Sequence, residues 1–407
     1  MKFKEIDKTE FDTFVLKYNN TTPYQTSFFA ETVNEYTPYY LGLYDNELVA
    51  ATLVLVKTIG KFKYGYIPRG FIMDYNNYNI LEEFTKGIKK FLGNIKVVAI
   101  KMSPMIIRGR YDNNYTLLNK GDNYDNIYDN LKKLGYRHLG YNNFFEALSP
   151  RFNAIIELDG NYFNSFIKMK KQFKTKVRSA ERNGVRIYHG DSEDLDTLYE
   201  QVKGKTNKDF NYYKNLYDNF NSLGLVDVYY AKLDSDIYTK NIQEEYLKLE
   251  KLSNSINNEV LKHSNNRLLD KKIAIDKDLN TYKKKLSFSV DFMNEYPKGI
   301  IIATLLVVKT GNKVTILADS FDRKFKSLNA KHLLIWKLIE KYSNEGYKYF
   351  DLGGITNKVD KSNKYYGLNN YKLGFGSNIY EYIGDLELVT NKPLYLMYIN
   401  SGSLRKK

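Results

Sequence analysis

The most constraining feature of the chain is a stretch near its middle with enough apolar residues for one helix seam and too few for a core. From Asn241 to Val260, Ile242, Tyr246, Leu249, Leu252, Ile256 and Val260 recur at steps of three and four. After a polar break at His263–Asn266, Leu268, Ile275, Leu279, Tyr282 and Leu286 continue the same kind of stripe. Each stripe is narrow enough for the partner helix alone to bury it. Residues 239–288 therefore read as an antiparallel coiled-coil hairpin that projects from the body, with helices of ~20–25 residues, roughly 30–37 Å long.

The 407 residues leave room for two compact domains beside this arm, and the flanks repeat one grammar. Tyr39–Tyr44 and Glu47–Thr58 read as a strand pair joined by Asp45-Asn46, and Tyr64–Ile67 as a short strand ending at Pro68. Ile80–Phe91 has helical spacing, Lys96–Met102 is a buried-strand run, Asp122–Leu134 reads as a helix and Phe152–Leu158 as a strand. Near the far end, Lys298–Val308 and Lys313–Ala318 pair through Gly311-Asn312, followed by the helix Asn329–Tyr342 and the strand Tyr347–Leu352. The expectation is a mixed α/β (α+β) protein of two modules: 1–151, then 152–238 with 289–407, the arm lying inside the second.

Composition removes several chemistries. There are no cysteines, so disulfides, thiolate nucleophiles and cysteine-held metals are excluded. The four histidines are scattered, which disfavours a histidine metal site or a conventional triad. No metal or cofactor is expected. The start MKFKEIDKTEFDTF lacks an apolar run of signal-peptide length, and no run approaches the ~20 residues that span a bilayer. A cytoplasmic location is expected. The formal net charge of +15 favours a polyanionic partner, such as a nucleic acid, an anionic membrane face or a phosphorylated small molecule.

Four segments carry chemistry. YIPRGFIMD (Tyr66–Asp74) is a strand broken by Pro68 and turned at Gly70, which delivers Arg69 to a strand end. Ser165–Asn183 reads as one basic helix in which Lys174, Arg178 and Arg182 belong to a set of seven cations opposed only by Glu181. Such density suits a phosphate-rich ligand. YKYFDLGGI (Tyr347–Ile355) ends a buried strand in Asp351 before Gly353-Gly354. In YYGLNNYKLGFG (Tyr365–Gly376), Gly367, Gly374 and Gly376 bracket Tyr371-Lys372, a frame for a cation held close to backbone or ligand.

Taken in order, these segments resemble the FemABX family of peptidoglycan aminoacyltransferases, the FemA, FemB, FemX and MurM types, over essentially the whole chain. PYQTSFFAE (Pro23–Glu31) is similar to the family's Q-S-aromatic helix start, and YIPRGFIMD to its Y-x-x-R-G-P-x-x-D. Leu134–Phe152 resembles the L-G-Y…P-R segment, and Lys174–Ile187 the K-x-x-x-R-x-x-x-K-x-G-V run. FDLGGI and GLNNYKLGFG resemble the closing D-x-x-G and G-L-x-x-F-K-x-G-F-G.

The resemblance implies two tandem acetyltransferase (GNAT)-like domains, the second interrupted by the arm. It implies transfer of an aminoacyl group from aminoacyl-tRNA to an amine of the lipid II stem peptide or a growing cross-bridge. The work would be done at the inner membrane face, with related aminoacyltransferases as further partners. Lys372 is the catalytic residue it implies, with Tyr371 beside it in place of the usual Phe. Arg69, Lys101, Lys174, Arg178, Arg182, Tyr212, Tyr213, Asp351, Gly374 and Gly376 are the substrate-binding set, the two glycines shaping a channel for the tRNA end.

The chain departs from the pattern in three places. Ser103 stands where K-x-[D/E]-P usually has an acid, Glu31–Tyr36 has no basic residue, and Asp209–Tyr213 lacks the Arg of F-x-x-R-x-x-x-Y-Y, leaving Lys205 and Lys208 as nearby cations. Two other readings stay open. An acyl-coenzyme A donor would need a Q/R-x-x-G-x-G/A loop, which is not evident here. A non-catalytic RNA- or membrane-binding homologue would retain the glycine frame without using it.

Overall fold

Asn46 takes a left-handed backbone (φ 64°) and closes the hairpin of Thr37–Asp45 and Glu47–Ile59, the turn expected at Asp45-Asn46. The computed structural model describes residues 1–147, 149–204, 206–263 and 265–401. Lys205 lies outside them. Among the described residues the strands form two sheets. The first runs in the order Lys2–Glu5, Thr37–Asp45, Glu47–Ile59, Phe62–Ile67, Val97–Met102, Leu386–Val389, Tyr136–His138. The second runs Val185–Gly190, Val226–Leu233, Ile300–Thr310, Lys313–Phe321, Tyr349–Ile355, Phe152–Glu157, Asn378–Tyr382, Ile107–Tyr111, Leu117–Lys120.

Each sheet is antiparallel except for one parallel pair. These pairs are Phe62–Ile67 with Val97–Met102, and Lys313–Phe321 with Tyr349–Ile355. A parallel pair needs a crossover, and a helix supplies each one. Tyr78–Asn94 buries Leu81, Phe84, Ile88 and Leu92 at three- and four-residue steps, and Ala330–Asn344 does the equivalent with Leu334, Leu338 and Tyr342. The duplicated grammar is therefore physical: two mixed α/β modules, each with one parallel pair bridged by a helix.

The sheets do not follow the chain-order division at residue 151. Ile107–Tyr111 and Leu117–Lys120 leave the first module and extend the second sheet, while Leu386–Val389 returns to lie between Val97–Met102 and Tyr136–His138. Short strands of this kind gain their partners from far along the chain, which local pattern does not reveal. A shared apolar cluster joins the modules further, packing Phe11, Leu53 and Leu55 with Phe220, Val228 and Leu306.

Two helices are placed differently from the expectation. The hairpin runs Ser235–Lys262 and Asn266–Glu295, longer at both ends than 239–288. The Thr239 hydroxyl donates to the Ser289 carbonyl (3.1 Å) and Ser253 Oγ to Asp276 Oδ1 (2.8 Å), so the helices are antiparallel. Leu252 is largely exposed, and Ser253 takes its place on the buried seam. The row Ile242, Tyr246, Leu249, Ser253, Ile256, Val260 then alternates four- and three-residue steps, which keeps it on one face.

The basic segment is two helices, Tyr162–Lys168 and Lys171–Arg182. It breaks at Met169-Lys170 because the Lys170 N–H turns to the Gly374 carbonyl (3.0 Å). Among the described residues no helix is long and apolar enough to cross a membrane.

The exchange of strands makes a folding prediction. Residues 1–151 expressed alone lack the strand that separates Val97–Met102 from Tyr136–His138, so they should show no cooperative thermal transition by circular dichroism, whereas the full chain melts cooperatively.

Candidate active site

The parallel strands Lys313–Phe321 and Tyr349–Ile355 are paired only at Lys313–Thr315 and Tyr349–Asp351, and then part. The opening is a cavity of about 200 Å³, whose walls include Tyr24 and Arg69 from the first module and Asn153, Lys313, Asp351 and Lys372 from the second. Three of the residues singled out from sequence, Arg69, Asp351 and Lys372, meet here.

Each is held by its own local structure. Arg69 follows the strand break at Pro68 and sits in the left-handed region (φ 61°), an uncommon place for a non-glycine residue. It is 7% exposed, donates from Nη1 to the Pro150 carbonyl (3.1 Å), and lies over the rings of Tyr24 (5.9 Å) and Tyr382 (5.5 Å). Asp351 precedes a bulge. Opposite Phe152–Glu157, the pairing steps from Asp351–Ile155 to Gly354–Asn153, so the longer strand gains a residue. Gly353 takes φ 82° there and donates its N–H to Asp351 Oδ1 (2.8 Å). The Asn153 amide Nδ2 donates to both Asp351 oxygens (3.1 and 3.0 Å).

The segment read as a glycine frame is largely a short helix, Tyr366–Leu373. Lys372 lies in its last turn and reaches back to donate to the Gly354 carbonyl (2.9 Å). Burial pulls the Lys372 ammonium down from the ordinary lysine value to about 8, with Asp351 opposing the shift. Sequence reading missed Lys313, which looked like an ordinary strand start. Its ammonium forms no ion pair among the described residues, and burial lowers its pKa, Asp351 opposing and Arg69 adding to the effect.

The other expected site residues lie elsewhere. One step along a helix turns a side chain by about 100°, so Tyr371 points away from Lys372. Its ring sits among His332 (5.1 Å), Phe375 (5.4 Å) and Phe173 (6.1 Å), and its buried hydroxyl has no hydrogen-bond partner among the described residues. Burial holds that hydroxyl protonated and, with Lys176 and Lys331 adding to the effect, pushes His332 down to about 3, so both rings are neutral beneath the Lys331 ammonium, which lies over Tyr371 (5.0 Å). Gly374 and Gly376 touch protein rather than the cavity. A side chain on Gly374 would meet the Phe173 ring, and one on Gly376 would meet the Lys168 backbone.

Lys174 donates to the Ile167 carbonyl (2.8 Å), Lys174 and Arg178 both lie over Phe166, and Arg182 is exposed; none of them lines the cavity. Tyr212 packs on the same apolar cluster as Tyr24 without bordering the cavity, with the Lys208 ammonium over its ring (4.5 Å), and Tyr213 is core. Lys101 pairs with Asp385 Oδ2 (2.8 Å), while Ser103 Oγ donates to Asp385 Oδ1 (2.6 Å). An acid therefore does stand beside Ser103, but neither Ser103 nor Asp385 borders the cavity. A larger hollow of about 550 Å³, bordered by Glu181, Arg186, Lys337 and Lys341, takes in no residue of this site.

Two mixed α/β modules joined across a cation-lined cleft define the class of protein. A model described as the FemAB family matches residues 6–400, and the chain belongs to that family. It is similar to the lipid II:glycine glycyltransferase of Staphylococcus haemolyticus strain JCSC1435, 26% identical over 413 residues that cover 97% of this chain and 94% of that one. The protein of the same description from Staphylococcus aureus strain USA300 is 26% identical over 418 residues, with the same coverage. Among solved structures, the crystal structure of FemX superposes with a TM-score of 0.77 at 23% identity, covering 98% of this chain and 99% of that one. At that identity the likeness is one of fold.

The placement of Tyr371 is testable. Removing an unpaired buried hydroxyl forfeits no hydrogen bond, so Tyr371→Phe should melt at or above the wild-type temperature in a thermal denaturation. A clear fall would show that the hydroxyl has a partner.

Proposed function

We propose that this chain transfers an aminoacyl group, glycine on the strength of its relatives, from aminoacyl-tRNA to an amine of the lipid II stem peptide or its growing bridge. The observation that carries the reading is the Lys372 ammonium, fixed on the Gly354 carbonyl inside a cavity that both modules build. The named activity of the staphylococcal relatives supports the acceptor and the acyl group. The net charge of +15 and the cations along Lys171–Arg182 support a nucleic-acid donor and work against an anionic membrane surface.

The chemistry asks little of the protein, because the ester of a charged tRNA is already activated. The acceptor nitrogen attacks the ester carbonyl carbon and negative charge gathers on its oxygen. The carbon–oxygen bond to the ribose then breaks, leaving an amide and a ribose hydroxyl. The nitrogen gives up one proton and the departing oxygen takes one, so no other reagent is consumed. Lys372 faces the developing negative charge as an ammonium and stabilises the tetrahedral intermediate. The cavity aligns amine and ester, which is the larger part of the task.

Offering the full chain individually charged tRNAs with lipid II, and weighing the lipid product, tests the reading directly. A glycine-sized mass increase is expected, and no increase with any charged tRNA would sink it. Lys372→Met should lower the transfer rate by about 10²–10³-fold while leaving tRNA binding intact.

The pH dependence follows from the same group. Lys372 carries its charge below about 8 and loses it above, so the transfer rate should fall as pH rises through about 8 rather than near the usual lysine value of 10.5. Asp351→Asn removes the neighbour that holds this pKa up, so it should move the alkaline limb to lower pH. An unmoved limb in a pH–rate profile would break the assignment.

A further inference from the structure

Asn153 is the one uncharged amide among the side chains that wall the cavity, and its two ends are in different states. It is 4% exposed. Its nitrogen is committed to both oxygens of Asp351, which fixes the amide's orientation, since a carboxylate accepts only from the NH₂ end. Its oxygen is buried and has no partner among the described residues. An unpaired buried acceptor is destabilising, and native structures rarely retain one without a reason. Asn153 is also the register partner of Gly354, whose carbonyl takes the Lys372 hydrogen bond. Asn153 thus stands directly across the ladder from the residue that takes the Lys372 hydrogen bond, and both side chains line the same cavity.

We propose that Asn153 Oδ1 is the docking point for the attacking amine of the acceptor, accepting one of its N–H bonds and aiming its lone pair at the acyl carbon held beside Lys372. The inference rests on the transfer reading above. Its chemistry is selective, because the empty group is an acceptor and needs a donor. The ester carbonyl and the bridging ester oxygen only accept, whereas the amine donates. The amine also gains positive charge as it attacks, and the Asp351 carboxylate behind Asn153 favours that charge. The ribose hydroxyl next to the ester is the other available donor, but it gains no positive charge in the step. Arg69, Lys313 and Lys372 around the cavity oppose an incoming ammonium, so the acceptor is bound as the neutral, nucleophilic amine. Asn153 is thus a substrate-positioning residue that no sequence motif marks.

Binding of lipid II to the full chain is compared with binding of an analogue in which a hydrogen replaces the acceptor amine, using calorimetry for wild type and for Asn153→Ala. Wild type should prefer the amine by about tenfold, the scale of one hydrogen bond, and Asn153→Ala should bind both alike. In steady-state transfer, Asn153→Ala should raise KM for the acceptor while leaving KM for the charged tRNA unchanged. Equal binding of both ligands by wild type, or a preference retained in Asn153→Ala, overturns the proposal, and the wild-type comparison holds even if the variant folds poorly. A defect that disappears when the donor lacks the neighbouring ribose hydroxyl also overturns it, by assigning Asn153 to the donor. Failure of wild type to transfer from any charged tRNA sinks the transfer reading itself, and is distinct from normal transfer with unchanged amine discrimination, which removes only the Asn153 contact.

Discussion

The structure turns on a pair of parallel strands that part after three residues. Lys313–Phe321 is held on its outer edge by Ile300–Thr310, and Tyr349–Ile355 on its outer edge by Phe152–Glu157, so neither can swing back to close the gap. Where the strands diverge, backbone groups lose their ladder partners and need others. The Gly354 carbonyl finds the Lys372 ammonium, and the Gly353 N–H finds Asp351. The residues of the site are in this sense the solution to a backbone problem. The groups that satisfy the open strands are also the charged groups left facing the cavity.

Such a site works only if the two modules keep a fixed relation, because Tyr24 and Arg69 come from one and Lys313, Asp351 and Lys372 from the other. The exchanged strands provide that relation. Asn378–Tyr382 lies between Phe152–Glu157 and Ile107–Tyr111, and its Glu381 takes Arg151 in a nearly fully buried pair, together with Arg108 (2.5 Å) and the Tyr111 hydroxyl (2.7 Å). A buried ion pair adds little net stability against an apolar replacement, but losing one partner strands a charge. Glu381 therefore ties the strand to one register. Three residues on, the chain crosses to the first sheet through Gly384 and Asp385, and Asp385 is itself fixed by Lys101 and Ser103.

What could be read from the sequence was local. Asp45-Asn46 and Gly311-Asn312 announced their hairpins, and the spacing of Leu81, Phe84 and Ile88 announced a crossover helix, because turn chemistry and helical period act over a few residues. The exchanged strands were hidden, since Leu386–Val389 has no meaning until Val97–Met102 and Tyr136–His138 flank it. In the site, Arg69, Asp351 and Lys372 were legible because proline and glycine mark strand ends and turns. Asn153 and Lys313 were not, since an Asn or a Lys near a strand start is ordinary until the fold gives it neighbours. Tyr371 misled for a related reason: adjacency in sequence on a helix is divergence in space.

The charge in the cavity then determines what chemistry the site favours. Three cations, Arg69, Lys313 and Lys372, share walls with Asp351, and Asp319, which also borders the cavity, is paired with Lys331. Removed from water, such an excess acts on its contents more strongly than it would at a surface. It stabilises an oxygen that gains negative charge and disfavours an ammonium, which is the pair of biases that acyl transfer to an amine requires. It also disfavours its own members, and Lys372 yields by falling to about 8, close enough to neutrality to remain charged in most molecules at pH 7. Asp351 sets the limit of that compromise. With the carboxylate in place the lysine keeps its proton, and the cavity remains cationic.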